Sequence, residues 1–304
     1  MRQMRPPNRT GATLPELLVG LVVSMLVVMT AFTSALRYQR SSSTIDEWMN
    51  VRSQLRDATD ILAADLRGIS VIGDSILAAS DTAVEFRSAL GSSVVCTVAS
   101  GSRITLPPDS LLSDRVLSSW VMPPDSGDTL LAYLGATGVA PARWVRLRIV
   151  AFAPAPAAVA CPPSAGLLDA SDLAGAGSAY DVTLEGSAPE LRRGAPIRIV
   201  RRVRYSVYRG GDGHWYLGYR RCTTSCAAIQ PVSGPYQVPG GTAPIALRYF
   251  DRSGARVSTA GPMPDPSSVE VTVRSNFVHR LWFPGLPART GDTIRSVIAF
   301  RNSR

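Results

Sequence analysis

Gly11-Ala12-Thr13-Leu14-Pro15-Glu16 stands at the head of an apolar run, LLVGLVVSMLVVMTAFTSAL, that extends from Leu17 to Leu36. Only Ser24, Thr30, Thr33 and Ser34 are polar within the run, and none of its residues is charged. Coiled as a helix, a run of this length covers about 30 Å, the thickness of a bilayer's hydrocarbon core. Arg2, Arg5 and Arg9 precede it in a leader that holds no acid up to Gly11. That asymmetry sets the N-terminus on the cytoplasmic side and everything after about Tyr38 outside the cytoplasm. Glu16 is the anomaly, because a carboxylate at the lip of an apolar segment is costly in lipid unless something pairs it.

Gly11, Thr13, Leu14, Glu16 and Leu17 together resemble the type IV prepilin signature. In that family a short basic leader ends in glycine and the fifth residue of the mature chain is glutamate ahead of a transmembrane helix. The resemblance implies that a prepilin peptidase cuts after Gly11 and methylates the new amine of Ala12. It also implies that Glu16 neutralises the N-terminal ammonium group of a neighbouring subunit in a filament, a buried pair that fixes register and partner more than it adds stability. The chain departs from the pattern at Ala12, where a larger hydrophobic residue is usual, and at Pro15, where an aliphatic one is usual. Proline is tolerated in a first helical turn, since its missing N–H would have no acceptor there. The competing reading is an ordinary secretory signal cleaved near Ala35, which gives no reason for Glu16.

Working outward, Leu21 to Arg67 contains neither glycine nor proline, so the membrane segment is predicted to continue as one helix. Ile45, Trp48, Leu55, Leu62, Leu66 and Ile69 recur at helical spacing, with Arg52 and Thr59 in the intermediate slots. That stripe reads as the face of the helix that packs on its own domain, with a coiled-coil seam as the alternative. Gly68 is placed to end the element. The expected organisation is a leader at 1–11, a membrane and assembly segment at 12–36, an amphipathic continuation at 37–69 and an extracytoplasmic domain at 70–304.

After Gly68 the texture changes to short β-branched and aromatic runs separated by glycine, proline, serine and aspartate. The predicted strands are 83–87, 94–98, 143–151, 197–209, 214–221, 245–250, 269–275 and 293–301. Arg209 to Gly213 is read as a hairpin turn, and 154–179 as a long surface loop pinned by Cys161. The fold class is therefore α+β and pilin-like: one long N-terminal helix, then a mostly antiparallel β domain. Arg146 with Arg148, and Arg202 with Arg204, each fall on one side of a strand, a pattern read as a solvated outer sheet face. From Val203 to the end the order of elements also resembles the J-type minor pseudopilins of type II secretion and the PilW-type minor pilins. The matching features are the hairpin up to Tyr219, the strand and turn of Leu247, Tyr249, Asp251 and Gly254, and a last strand ending at Arg301 and Asn302.

All 32 basic residues are arginine, and once a leader with three of them is removed the formal charge drops from +9 to +6. Spread along the sequence, that charge is too dilute to announce a nucleic-acid partner. Four cysteines in a chain that leaves the cytoplasm read as disulfides, Cys222 with Cys226 and Cys96 with Cys161. A zinc site would need more ligands than His214, His279 and one close cysteine pair provide. There is no nucleophile elbow, phosphate loop or paired-histidine motif, so neither an enzyme nor a cofactor is expected. The reading is a minor pilin or pseudopilin acting at filament initiation or at a tip. Its expected partners are the prepilin peptidase, other minor subunits and an inner-membrane assembly platform. It would sit in the inner membrane with a periplasmic domain and later in a periplasmic or extracellular filament. The alternatives are a tip adhesin or DNA-binding minor pilin, and a generic signal-anchored periplasmic domain.

Overall fold

The computed structural model describes residues 14–69, 76–111, 115–137, 140–174, 176–238, 242–259, 266–278 and 289–300. The chain divides into two compact units, one made of residues 1–52 and 276–292, the other of 53–275 and 293–304. A single helix, α1 (Leu14–Arg67, 54 residues), supplies the start of both. As expected from the lack of internal glycine and proline after Leu21, no break interrupts it. It stops at Gly68, where Gly68 and Ile69 donate their N–H groups to the carbonyls of Asp65 and Leu66. Gly68 is not among the residues with positive φ, so the helix closes through these tight i to i−3 bonds rather than through a left-handed cap.

In the second unit, the stripe predicted from Leu55 onward is buried: Leu55, Thr59, Leu62, Leu66 and Ile69 are all inside, joined by Ala58 and Ala63. Thr59 is accommodated because its hydroxyl donates to the carbonyls of Arg56, at 2.8 Å, and Leu55. Each fully buried leucine contributes about 1.5–3 kcal/mol. In the first unit the stripe behaves differently. Ile45 is 52% exposed, and the Arg52 guanidinium lies over the Trp48 ring at 5.2 Å, so a cation–π contact fills the slot that looked like a flaw in an apolar face.

The second unit carries most of the β structure, all of it antiparallel where pairing is resolved. Its larger sheet contains β1 (Ile76–Ala79), β2 (Ala83–Val94), β3 (Thr97–Ser100), β4 (Arg103–Leu106), β5 (Ser119–Trp120), β6 (Thr129–Leu134) and β7 (Arg143–Ala155). β8 (Ala179–Leu184), β9 (Pro196–Arg209), β10 (Trp215–Arg221) and β11 (Gln230–Tyr236) complete it. The order is β1-β2-β9-β6-β7-β8-β4-β3; β10 extends from the far half of β9, β11 from β10, and β5 from β2. A smaller sheet has the order β13-β12-β14-β15, from β12 (Ile245–Phe250), β13 (Arg256–Val257), β14 (Ser268–Val278) and β15 (Arg289–Ala299). The ends of β14 and β15, residues 276–278 and 289–292, belong to the first unit.

One face of the larger sheet is the core. Leu130, Ala132, Ile149, Ile197 and Ile199 form its centre with Val95, Ile104 and Val182. Along β9 the inner face continues through Val203 and Tyr205, and there residues 53–67 of α1 are tied down. Tyr205 donates to Asp65 at 2.7 Å, and Ser233 of β11 donates to the Gln54 carbonyl at 3.1 Å.

The predicted strand 94–98 is split. β2 ends at Val94, opposite Pro196 in the register. Val95 and Cys96 then turn the chain into β3, fully buried. The predicted loop 154–179 is partly ordered by its own helical turns: α2 (Ala157–Ala160), a 3-10 turn at Pro163–Ala165, and α3 (Ala170–Leu173). The last begins with a capping box, Asp169 and Asp172 each accepting the other's backbone N–H. β11 was missed because Pro231, Gly234 and Pro235 disfavour a strand; as an edge strand paired only with β10 it tolerates them. The hairpin at Arg209–Gly213 and the turn at Asp251–Gly254 form as read, with positive φ at Gly213 and Gly254. His279, Arg301 and Asn302 lie outside the described residues.

Candidate functional site

The site with the clearest chemistry is the amino-terminal part of α1. Leu14–Gln39 is apolar over 26 residues, long enough to cross a membrane, and none of its most apolar stretch is buried against the rest of the chain. Leu17, Leu18, Leu21, Met25, Val28 and Phe32 each expose more than half their surface. Three of its hydroxyls are turned back onto the helix. Ser24 donates to the Gly20 carbonyl at 2.7 Å, Thr30 to Val27 at 2.8 Å and Thr33 to Thr30 at 3.0 Å. A surface whose polar atoms are satisfied internally suits hydrocarbon, where no water would replace those bonds.

Pro15 sits in the first turn, where helix geometry accepts it. Glu16 is in the same turn and exposed. The charge therefore stands at the rim of a long lipophilic surface. Gly11 and Ala12 lie outside the described residues.

The four cysteines form the two expected bridges. Cys96–Cys161 joins the β2–β3 junction to the end of α2, with Cα atoms 5.3 Å apart, and nests with Leu111 and Leu168 in a small apolar cluster. Cys222–Cys226 closes a tight loop after β10, its Cα atoms 3.9 Å apart. Glu85 of β2 lies under that loop. Its ligand atom and the two sulfurs fall within 4.8 Å of one another, but both sulfurs are bonded to each other and offer no thiolate. Glu85 is instead held by arginine, accepting from Arg202 at 2.5 Å with Arg204 at 3.6 Å.

No protein family, no curated protein and no solved structure matches this chain. What can be said of the site rests on its own geometry.

Two groups of ionisable residues escaped the sequence reading. Arg201 lies on the inner face of β9, in phase with Ile197 and Ile199, and forms a two-pronged pair with buried Asp128 at 2.8 and 2.7 Å. Its remaining donors reach the Pro123 carbonyl and the Met122 sulfur. Arg221 joins the cluster through Asp125 at 2.7 Å, a hydrogen bond that holds the Asp125 carboxyl below its ordinary range. The second group is Asp65 of α1 with Tyr205 of β9. Burial pushes both pKa values up, and the hydrogen bond between them lowers that of Asp65 only in part. Arginine at an apolar-phase position of the predicted strand 197–209 was the available signal for the first group.

Proposed function

We propose that this chain is a prepilin-type minor subunit of a type IV pilus or type II secretion filament, processed after Gly11 and anchored by α1. The observation that carries the reading is α1 itself. One uninterrupted helix runs from a bare apolar surface with Glu16 at its rim to a segment whose apolar face is buried in a disulfide-linked β domain. A cleaved secretory signal has no use for a helix that continues through the domain core, because cutting near Ala35 would sever the element that Leu55, Leu62 and Leu66 anchor.

Within a filament, Glu16 faces the apolar surfaces of neighbouring helices. A carboxylate there requires a cation, and the methylated amine of Ala12 in an adjacent subunit is the group the reading supplies. The disulfides fit a periplasmic or extracellular domain. The partners are then the prepilin peptidase, other minor subunits and the inner-membrane platform. The chain is a substrate of processing enzymes rather than an enzyme. A protein with a domain of this size suits an initiation complex or a tip better than the repeating shaft.

Glu16→Ala is the test. The variant should insert and be processed normally, since it removes a charge from the membrane segment. It should then be recruited poorly to co-purifying filament subunits, because an unpaired buried ammonium group typically costs about 3–5 kcal/mol. Recruitment equal to that of the parent protein would overturn the pairing role.

A further inference from the structure

The arginines that look scattered in the sequence are gathered by strand register onto the outer face of the larger sheet. β6 is the centre of the arrangement. Leu131 is opposite Arg146 of β7 on one side and Arg198 of β9 on the other; Thr129 is opposite Arg148 and Val200; Tyr133 is opposite Trp144. Paired residues share a face, so Arg146, Arg148, Arg198, Tyr133 and Trp144 point the same way. The face continues through β2 and β10, where Arg87 is opposite Arg202 and Arg220 is opposite Arg204. Glu85 is the single acid that these five strands place there. A loop acid, Glu185, is 3.7 Å from Arg148.

Aromatic rings are set among these charges and stay accessible. Tyr133 is 37% exposed, its ring 5.4 Å from that of Trp144, and the Arg198 guanidinium lies over Trp144 at 5.6 Å. Strands lie about 4.8 Å apart, and same-face residues about 7 Å apart along a strand, so the two rings sit together at one end of the face with Arg146 and then Arg148 following along β7. A phosphate backbone supplies the matching charge, and unpaired bases supply planar faces for Tyr133 and Trp144. A duplex hides those faces, and an anionic membrane or polysaccharide has no bases to stack.

We propose that this outer face binds single-stranded DNA, with Arg146, Arg148 and Arg198 on phosphates and Tyr133 and Trp144 stacking on bases. The proposal goes beyond the filament reading and does not depend on it.

The test is fluorescence anisotropy of a labelled oligothymidylate with the full chain in neutral detergent, over a range of salt. Heparin, duplex DNA and phosphatidylglycerol vesicles serve as comparison ligands. Each phosphate contact on a single strand contributes about 0.7 to the slope of log affinity against log salt. Changing Arg146, Arg148 and Arg198 together to Gln should therefore lower the slope by about 2, which is about 100-fold in affinity at 0.1 M salt. Each single change should lower it by about a third of that. Tyr133→Ala should weaken binding about fivefold or more and leave the slope unchanged. Changing Arg248, Arg256 and Arg295, exposed cations of the smaller sheet, to Gln should leave the slope within 0.5 of its parent value. Circular-dichroism melts within about 2 °C of the parent confirm that each variant is folded. Absence of binding at low salt would overturn the proposal, as would an unchanged slope in the triple variant. Equal affinity for heparin, duplex or vesicles with Tyr133→Ala silent would overturn it as well, because the face would then be a general anion-binding surface.

Discussion

Asp128→Ala is expected to be among the most damaging single changes in the β domain, although nothing in the sequence marks Asp128 as special. Its carboxylate is 1% exposed and Arg201 opposite it is 6% exposed. The carboxylate accepts two hydrogen bonds from Arg201 and one from the Asp125 N–H at 2.8 Å, with Arg221 a further 3.6 Å away. Removing it leaves the Arg201 guanidinium in the sheet core with only the Pro123 carbonyl and the Met122 sulfur. Breaking one side of a buried pair typically costs about 3–5 kcal/mol. For a domain of this size each kcal/mol lowers Tm by about 2–4 °C, so the expected drop is about 6–20 °C. The double variant Asp128→Leu with Arg201→Met should recover most of that loss, because it removes the stranded charge together with its partner. Thermal melts of the detergent-solubilised chain followed by near-UV circular dichroism measure both. An Asp128→Ala loss below about 1 kcal/mol, or a double variant no better than the single one, would refute the reasoning by showing that water screens the pair.

Further predictions concern the cysteines and the half-buried carboxyl of Asp65 on α1. Thiol labelling under denaturing, non-reducing conditions should find no free cysteine. Changing Cys96 and Cys161 together to Ser should destabilise the domain by about 4 kcal/mol, since that bridge spans 65 residues, whereas the Cys222 and Cys226 pair, 4 residues apart, should cost about half as much in the chain-entropy description. Asp65 has a folded-state pKa above its ordinary value, so the folded state holds the proton more tightly than the unfolded chain and Asp65 makes stability fall as pH rises from the ordinary carboxyl range through the raised value. Asp65→Asn should flatten that part of the stability profile, seen as a difference between urea midpoints of the two proteins at matched pH. An identical pH profile would contradict the assignment.

The helix was legible because its signals are local and repeated. A long stretch without glycine or proline, an apolar run and then a periodic stripe all agree, and its end at Gly68 followed from the same pattern. A strand that combines β-branched and aromatic residues, Ile245–Phe250 with Ile245, Tyr249 and Phe250, was read to the residue. What escaped depends on partners distant in sequence. Gln230–Tyr236 is a strand only because β10 lies beside it, and Arg103–Leu106 only because β8 does. Residues 154–179 looked structureless because helical turns of three or four residues are too short to show a period. The candidate site divides in the same way. Glu16 and the cysteines stood out by residue type and position, whereas the Arg201–Asp128 pair joins residues 73 positions apart. The arginine and aromatic face likewise exists only once β6, β7 and β9 are in register. Net charge along the chain could not reveal it.

Mass spectrometry of the N-terminal peptide, on protein purified from membranes, decides whether the chain is a processed prepilin-type subunit. The expected mature chain begins at Ala12 and carries one methyl group on its amine. A chain that retains Met1, or one that begins near Leu36, would contradict it.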